Sequence, residues 1–270
     1  MTYILGGWQS DFAATWSRKG REIADAFAET VGEGLAAIDL QAKDIETGHV
    51  GNFAAELFAG QGLLGGFFAL VHPDFNGMPT ARHEAACASG SVAILAAAAE
   101  LEAGRYDVAC VVGIEQMRNV GAEQAARHLG SAAWAGHEYL DTPFAWPKAF
   151  SDLGDEYERR YGLNYRHLMR ISEINFDNAK RNANAQTRKW AFSPESFTAN
   201  DETNPIVVGR TRKQDCGQIT DGAAVVFLAS PKYAAAYAAK RGIPLGRMAR
   251  IKGWGHRSAA IPFDAKIRAS

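Results

Sequence analysis

Cysteine is scarce in this chain of 270 residues, and the three cysteines present, Cys87, Cys110 and Cys216, are odd in number and widely separated. This distribution excludes a disulfide framework and a cysteine-rich zinc site, and it is typical of proteins in a reducing compartment. The chain also lacks any uncharged apolar stretch of about 18 residues, so no membrane-spanning segment is predicted. The first residues lack a basic region followed by a long apolar run, which argues against a secretory signal. We therefore expect a soluble cytoplasmic protein.

An excess of charge of one sign is also absent. The chain has 29 lysine and arginine residues against 30 aspartate and glutamate residues, a formal net charge of -1. This balance gives no electrostatic support for a nucleic-acid partner. A metal site is not indicated either, because His128 and His137 lie nine residues apart, whereas two metal ligands on one helix are spaced by about three or four residues.

The hydrophobic patterns that are present alternate between strand and helix over the first 115 residues. Residues 107–113 form an uninterrupted apolar run with several β-branched side chains, which is typical of a strand buried on both faces. Strands are also predicted over 3–5 and 49–53, and helical stretches over 17–40, 54–70 and 88–103. This order predicts an α/β fold with right-handed crossovers and a largely parallel sheet covered by helices.

Residues 118–210 differ in composition from the rest of the chain. They are rich in tryptophan, tyrosine, arginine and asparagine, and no segment in them has a strong strand pattern. Surface helices are predicted over 157–161 and 168–179. We interpret residues 118–210 as a long insertion that forms a lid or a subdomain.

Layered structure is predicted to resume after the insertion. Residues 222–229 form a second apolar run typical of a strand, a helix is predicted over 231–241, and one more strand is predicted over 246–255. An amphipathic segment over 265–270 begins a further helix that has no carboxyl-terminal cap. A chain that stops inside a helix is expected to be part of a larger protein.

Gly60, Gly62 and Gly65 have the spacing of a dinucleotide-binding fingerprint. In that fingerprint the glycines form the turn between a strand and a helix, but the nearest predicted strand ends seven residues before Gly60. Close packing of helices explains these glycines better, so no nucleotide cofactor is predicted.

The segment 82–91, Arg-His-Glu-Ala-Ala-Cys-Ala-Ser-Gly-Ser, carries the strongest chemical pattern of the sequence. Cys87 lies where a strand-like run ends and an alanine-rich helix begins. At the amino terminus of a helix, free N–H groups and the helix dipole stabilise a thiolate and lower the thiol pKa from about 8.5. The same N–H groups can bind an oxyanion. Cys87 is therefore a candidate nucleophile.

A structural interpretation of the same segment stays open at this point. Cysteine is a common core residue, and a run of alanine, serine and glycine also permits close packing. Cys110 lies within a predicted buried strand, so a structural role is predicted for it. Cys216 lies in a polar loop, and the sequence assigns it no role.

Several segments resemble the thiolase superfamily. The nucleophile region of that family is similar to Ala-Cys-Ala-Ser-Gly-Ser at 86–91, Gly-Arg-Tyr-Asp at 104–107 and Val-Gly-Ile-Glu-Gln-Met at 112–117. Asp-Gly-Ala-Ala-Val-Val at 221–226 resembles the strand that closes the first half of the thiolase fold. Segments that resemble the branch of sterol-carrier-protein-type thiolases and acetyl-CoA acetyltransferases lie at 10–12, 82–84, 116–119, 184–188 and 255–258. The resemblance extends in order over essentially the whole chain.

The resemblance implies a thiolase-like fold with four parts. Residues 1–117, completed by 211–245, are expected to form a first βαβαβαββ half-domain that carries Cys87. Residues 118–210 correspond to the loop domain that covers coenzyme A in relatives and also contributes to subunit contacts. Residues 246–270 correspond only to the start of the second half-domain. A homodimer, or a partner chain that supplies the missing half, is therefore expected.

The resemblance also implies an acetyl-CoA acyltransferase. Relatives form an acyl-cysteine from acyl-CoA, followed by Claisen condensation or by thiolytic cleavage of a 3-oxoacyl-CoA. Coenzyme A thioesters are the expected substrates, in fatty-acid or sterol metabolism, with no permanently bound cofactor. Cys87 is the residue that carries over as catalytic, and its backbone N–H is expected to contribute to one oxyanion hole.

The chain departs from the family pattern in what it lacks. The family's activating histidine and second acid/base cysteine belong to motifs of the second half, and none of those motifs occurs here. His256 lies in a segment similar to a different part of the family. Three interpretations stay open: a fragment, a partner chain that supplies the base, or a lost activity. A non-catalytic acyl-CoA-binding subunit and an aldolase acting on a steroid side-chain CoA thioester are alternatives, but neither requires a thiolate at Cys87.

Overall fold

Two units with different architectures make up residues 1–269, the part of the chain that the computed structural model describes. The sheet unit comprises residues 1–10, 14–119 and 221–256, and the helical unit comprises 11–13, 120–220 and the residues from 257 onward. The strands are β1 Tyr3–Gln9, β2 Thr47–Gly51, β3 Thr80–His83, β4 Val108–Gln116, β5 Ile206–Val208, β6 Thr211–Arg212 and β7 Asp221–Ala229. The helices are α1 Ile23–Ala37, α2 Ala55–Ala59, α3 Phe68–Val71, α4 Ser89–Glu102, α5 Ala122–Gly130, α6 Ala145–Tyr161, α7 Tyr165–Ala179, α8 Pro231–Lys240 and α9 Phe263–Ala269.

A five-stranded sheet in the order β1-β7-β4-β2-β3 forms the centre of the sheet unit. β2 is parallel to β3 and β4, whereas β7 is antiparallel to β1 and β4. The sheet is therefore mixed rather than largely parallel as predicted. The reason is that β7 starts beside the end of β4, with Asp221 opposite Gln116, and runs back along it.

Helices cover both faces of this sheet. On one face α1 packs through Phe27 and Val31 into a core that includes Val112 of β4 and Phe227 of β7. On the other face α4 packs against the alternate residues of β4, such as Val111. Because side chains alternate between the two faces of a strand, this arrangement confirms the prediction that residues 107–113 are buried on both faces.

The predicted helical stretch over 54–70 is interrupted in the structure. α2 ends at Ala59, the next residue Gly60 has a φ of 65°, and Leu63 also adopts the left-handed region at a φ of 50°. A single 3-10 turn over Leu64–Phe67 then leads into α3. Two residues with positive φ prevent a continuous helix, and Gly60 ends a helix rather than forming a strand-to-helix turn.

The strand predicted over 246–255 is wrong. The segment contains a 3-10 turn over Leu245–Arg247, and Arg250 forms an isolated bridge with Tyr3. Its backbone follows the free edge of β1 only briefly, through hydrogen bonds from Ile4 to Ala249 and from Ile251 to Thr2. Nearly all of its side chains are exposed, so the segment has no buried face to stabilise a full strand.

The helical unit contains α5, α6 and α7, with a small cluster of Phe176, Phe192 and Phe197 beside α7. The helices predicted over 157–161 and 168–179 are confirmed, although α6 begins earlier than predicted. The sequence did not predict the hairpin of β5 and β6, because its strands have three and two residues and no apolar alternation. The predicted helix over 265–270 is present as α9, which begins two residues earlier, and Ser270 lies outside the described residues.

Candidate active site

Several polar side chains of the sheet unit lie at the carboxyl-terminal edge of the parallel strands. β2 ends at Gly51, β3 at His83 and β4 at Gln116, and the antiparallel β7 begins at the same edge with Asp221. In open α/β sheets this edge is the usual position of a binding site. The turn from β3 to α4, which contains Cys87, lies here.

Cys87 is exposed and occupies a 3-10 turn, Ala86–Ala88, that leads directly into α4. The predicted position at the start of a helix is therefore confirmed. The preceding residue, Ala86, has a φ of 49°. A residue other than glycine in this left-handed region costs about 1–3 kcal/mol and is retained where surrounding contacts enforce it.

Two side chains enforce the turn at Ala86. The buried Ser89 hydroxyl donates to the Ala86 carbonyl at 2.6 Å and accepts from the Ala85 N–H at 2.9 Å. The Glu84 carboxylate accepts from the Ala86 N–H at 2.6 Å. The peptide groups on both sides of Ala86 are thereby hydrogen-bonded, which fixes the backbone that presents Cys87.

Asn52 and Glu115 join the ends of β2 and β4. The fully buried Asn52 amide donates to the Ile114 carbonyl at 2.6 Å and to the Glu115 carboxylate at 3.0 Å. The Asn52 side-chain oxygen accepts from the Ala55 N–H at 3.0 Å, which holds the first turn of α2. Burial raises the pKa of Glu115, and a hydrogen bond from the Phe53 N–H opposes that effect. This network fixes the edge of the sheet next to the β3–α4 turn.

Asp221 fixes the neighbouring end of β7. Its carboxylate is fully buried and accepts hydrogen bonds from the N–H groups of Trp16 at 2.7 Å, Met117 at 2.9 Å and Arg118 at 2.8 Å. Such charge-assisted bonds are stronger than neutral ones and compensate for burial of the carboxylate. The loop after β1 and the residues after β4 are therefore anchored to the start of β7.

A family model described as thiolase, N-terminal domain, matches residues 4–164, which is more than half of the chain. The chain belongs to the thiolase superfamily. The predicted resemblance is thus confirmed, and so is the α/β, thiolase-like fold.

Curated relatives of this thiolase-superfamily chain include two archaeal proteins named acetyl-CoA acetyltransferase. The protein from Methanocaldococcus jannaschii is 30% identical over 225 residues, which cover 83% of this chain and 54% of the relative. The protein from Methanothermobacter thermautotrophicus is 28% identical over 239 residues, covering 87% of this chain and 58% of the relative. The chain therefore spans little more than half the length of these relatives.

A solved structure described as "Ltp2-ChsH2(DUF35) aldolase" has a similar fold. The superposition has a TM-score of 0.64 at 17% sequence identity, and it covers 86% of this chain and 56% of that one. At this identity the likeness concerns the fold alone.

The three cysteines of this thiolase-superfamily chain have different surroundings. Cys87 is exposed, Cys110 is fully buried in β4, and Cys216 is partly buried. Burial raises the pKa of the Cys110 thiol far above its ordinary value. Burial, together with the nearby Asp215 carboxylate, also raises the pKa of Cys216. Both effects disfavour a thiolate at these two positions.

The helical unit contains an open cavity of about 450 Å³ beside α7. Arg170 ion-pairs with Glu173 at 2.5 Å. The cavity combines cationic, aromatic and hydroxyl groups, contributed by Arg166, Met169, Arg170, Glu173, Phe197 and Thr198. Guanidinium groups suit phosphate, and an aromatic ring suits a nucleobase.

Two kinds of site are not found in the residues that the structure describes. Over residues 1–269, no group of three or more His, Cys, Asp or Glu side chains is placed to hold a metal ion. None of the helices described is long and apolar enough to cross a membrane.

The supporting residues Ser89, Asn52, Glu115 and Asp221 were not predicted as functional from the sequence. Ser89, Glu115 and Asp221 lie within the segments that resemble thiolases, so the resemblance contained a signal for them. Asn52 lies within the strand predicted over 49–53 as a single polar residue, and nothing in its sequence context shows that it is fully buried. Its role depends on the pairing of β2 with β4.

Proposed function

We propose that this chain supplies the nucleophile of a thiolase-type acyltransferase, with Cys87 attacking the thioester carbonyl of an acyl-CoA. A new bond forms between Cys87 Sγ and the acyl carbon, the thioester C–S bond breaks, and the coenzyme A sulfur takes up the proton from the thiol. The observation that supports this proposal is the exposed thiol at the enforced turn where α4 begins. The Claisen condensation, or its thiolytic reverse on a 3-oxoacyl-CoA, then uses the acyl-cysteine.

The start of α4 favours this chemistry. The first N–H groups of a helix have no partner within the helix, and they stabilise negative charge that develops nearby. We assign to the Cys87 N–H a part in binding the oxyanion of the tetrahedral intermediate. A donor of this kind typically contributes about 10²–10³-fold to the rate.

The helical unit is proposed to bind the nucleotide portion of coenzyme A, within the lid predicted over 118–210. The cavity beside α7 supports this assignment, because Arg166 and Arg170 are suited to phosphate groups and Phe197 offers an aromatic face to an adenine. This cavity lies entirely within the helical unit.

Full turnover is proposed to require residues beyond this chain. Carbon–carbon bond formation needs a group that removes the α-proton of the acetyl unit. In the family resemblance that group and the activating histidine belong to the second half, and this chain spans little more than half of its curated relatives. Either a longer chain or a partner chain would supply them, within a homo-oligomer or a complex.

Acetylation of Cys87 by acetyl-CoA tests the proposal. Peptide mass spectrometry is expected to find one acetyl group on the peptide that contains Cys87, and none after Cys87→Ala. Cys216→Ala is the matched control and is expected to leave acetylation of Cys87 unchanged. Absence of acetyl-Cys87 in a folded protein, or acetylation confined to other side chains, would refute the proposed role.

A thiolase-like aldolase is the second candidate, favoured by the similar fold of the solved structure described as an aldolase. Aldol cleavage of a steroid side-chain CoA thioester does not require an acyl-cysteine. In a longer chain that includes the second half, Cys87→Ala separates the two functions, because an aldolase would retain carbon–carbon cleavage in that variant and an acyltransferase would not. A subunit that only binds acyl-CoA would bind it equally well with and without Cys87.

A further inference from the structure

Most backbone N–H groups of the turn that carries Cys87 are already hydrogen-bonded. The Ala85 N–H donates to the Ser89 hydroxyl at 2.9 Å. The Ala88 N–H donates to the Ala85 carbonyl at 2.9 Å, and the Ser89 N–H donates to the Ala86 carbonyl. These three donors are satisfied within the turn, so they are not available to a substrate.

The two remaining N–H groups of residues 85–89, those of Ala86 and Cys87, differ in their surroundings. The Ala86 N–H donates to the Glu84 carboxylate at 2.6 Å. The Cys87 N–H has no acceptor among the residues that the structure describes. A free N–H at the start of a helix stabilises negative charge. The Glu84 carboxylate therefore occupies one of two adjacent donors and leaves the other one free.

The backbone conformation brings these two donors into competition. Ala86 has a φ of 49°, in the left-handed region, and the helical turn at Cys87 follows directly. A left-handed residue beside a helical one directs successive N–H groups toward a common concavity that binds anions. Without Glu84, an oxyanion would have a choice between the two N–H groups. The donor that binds the oxyanion also fixes the acyl carbon relative to Sγ, because that carbon carries the oxygen.

The chemistry of a carboxylate makes Glu84 an effective block at Ala86. An ionised carboxylate only accepts hydrogen bonds, so Glu84 cannot itself donate to an oxyanion. Its bond to the Ala86 N–H is charge-assisted and therefore stronger than a bond between neutral groups. Its negative charge also repels an oxyanion from the Ala86 side. An oxyanion at Ala86 is thus disfavoured twice, by loss of the donor and by repulsion.

We propose that Glu84 is a positioning residue for acylation, which blocks the Ala86 N–H and so reserves the Cys87 N–H for the oxyanion. Attack by Sγ moves the π electron pair of the thioester carbonyl onto its oxygen. That oxygen accepts from the Cys87 N–H until the pair returns and the C–S bond to coenzyme A breaks. Glu84 contacts no reacting atom and transfers no proton. The inference rests on the proposed function, because it concerns the oxyanion of that acylation step.

Two reactions of the Cys87 thiol distinguish this role from a general effect on its reactivity. p-Nitrophenyl acetate acylates a thiol through a tetrahedral oxyanion, which an N–H donor stabilises. Iodoacetamide alkylates a thiol by displacing iodide and forms no oxyanion. Mass spectrometry of the peptide that contains Cys87 measures both rates, and the ratio of acylation to alkylation is the readout.

Glu84→Gln and Glu84→Met are the matched variants for this test. Both remove the charge and keep the length of the side chain, but only glutamine retains an acceptor oxygen for the Ala86 N–H. We expect acylation to be about ten-fold slower in Glu84→Met than in Glu84→Gln, with no such difference in alkylation. A purely structural role would change both reactions together. Equal ratios in the two variants, or faster acylation in Glu84→Met, would overturn the inference.

Loss of the fold is recognised from Cys110, which is fully buried and is labelled only if the protein unfolds. If Glu84→Met does not fold, Glu84→Ala replaces it. This variant also lacks an acceptor, so the same ten-fold difference from Glu84→Gln is expected.

p-Nitrophenyl acetate contains no coenzyme A, so the inference and the proposed function fail separately. A lower ratio in Glu84→Met, without acetylation of native Cys87 by acetyl-CoA, would support the role of Glu84 and refute the acyl-CoA acyltransferase. Acetylation by acetyl-CoA together with equal ratios in the two variants would refute the role of Glu84 alone. No acylation of native Cys87 by either donor would refute both.

Discussion

Gly51 of β2 and Gly90 of α4 are in direct backbone contact: a Cβ atom on Gly51 would lie 2.6 Å from both the Cα and the N of Gly90. No other residue fits at Gly51 without moving the first turn of α4, which follows Cys87. A Cβ on Gly90, by contrast, would meet open space. The position of the candidate nucleophile therefore depends on one glycine of the pair.

The two glycines are expected to respond to alanine in opposite directions. Gly51→Ala forces backbone apart and is expected to lower the free energy of unfolding by about 1–3 kcal/mol and to slow alkylation of Cys87. Gly90→Ala, the matched control, is expected to raise it by up to about 1 kcal/mol, because alanine favours a helix. Urea unfolding measures both, and equal effects of the two substitutions would contradict the contact.

Removal of the Ser89 hydroxyl is expected to destabilise the turn at Ala86. Ser89→Ala leaves the Ala85 N–H and the Ala86 carbonyl without this partner, which is expected to cost about 1–3 kcal/mol of unfolding free energy. The exposed Ser91, two residues along the same helix, supplies the control Ser91→Ala. Thermal and urea unfolding report the difference. If Ser89→Ala is as stable as Ser91→Ala, the hydroxyl does not enforce the turn.

Cys87 is expected to be the most reactive of the three thiols at neutral pH. It is exposed at a helix start, whereas burial raises the pKa of Cys110 and Cys216 and disfavours their thiolates. Limiting iodoacetamide followed by peptide mapping measures the order of modification. Preferential labelling of Cys110 or Cys216 would show that exposure and helix position do not control reactivity here.

Coenzyme A is expected to protect backbone amides within residues 118–210 from hydrogen exchange, and Arg166→Ala with Arg170→Ala is expected to weaken binding about ten-fold or more. The matched control is Arg127→Ala, which removes an exposed arginine of α5 that pairs with Glu123 away from the cavity. Protection confined to residues outside 118–210, or equal affinity for coenzyme A in all variants, would show that the nucleotide does not bind in this cavity.

These 270 residues alone are expected to turn over acetoacetyl-CoA far below a normal thiolase rate. General acid–base assistance is typically worth about 10²–10⁴-fold, and the family's base belongs to the second half. A longer chain that includes the second half, and Cys87→Ala versions of both lengths, complete the comparison. Equal activity of the short and long chains would show that a histidine of this chain, His83, His128 or His256, serves as the base.

The sequence predicted the elements whose burial follows from the apolar pattern of one continuous segment. β4 and β7 contain apolar runs with β-branched residues, and the apolar alanine-rich pattern after Cys87 matches α4 closely. Prediction from the sequence failed where backbone conformation or burial determines the secondary structure and the apolar pattern does not. Positive φ values at Gly60 and Leu63 break the helix predicted over 54–70, and the segment 246–255 does not become a strand because its side chains are not buried.

The candidate site divides in the same way. Cys87 is predicted as the candidate nucleophile from its helix-start context and from the resemblance to thiolases. The residues that fix its surroundings were not predicted, because Asn52 and Asp221 are single polar residues whose burial arises only when β2, β4 and β7 pair. A buried polar residue looks the same in a sequence as an exposed one.

The release of coenzyme A in the first turnover tests the role of Cys87 most directly. Acetyl-CoA is mixed with the protein, and free coenzyme A is separated by chromatography and quantified against time. We predict a release of one equivalent per protein molecule, coincident with acetylation of Cys87 and absent in Cys87→Ala. No release from the folded native protein, or the same release from Cys87→Ala, would contradict the account.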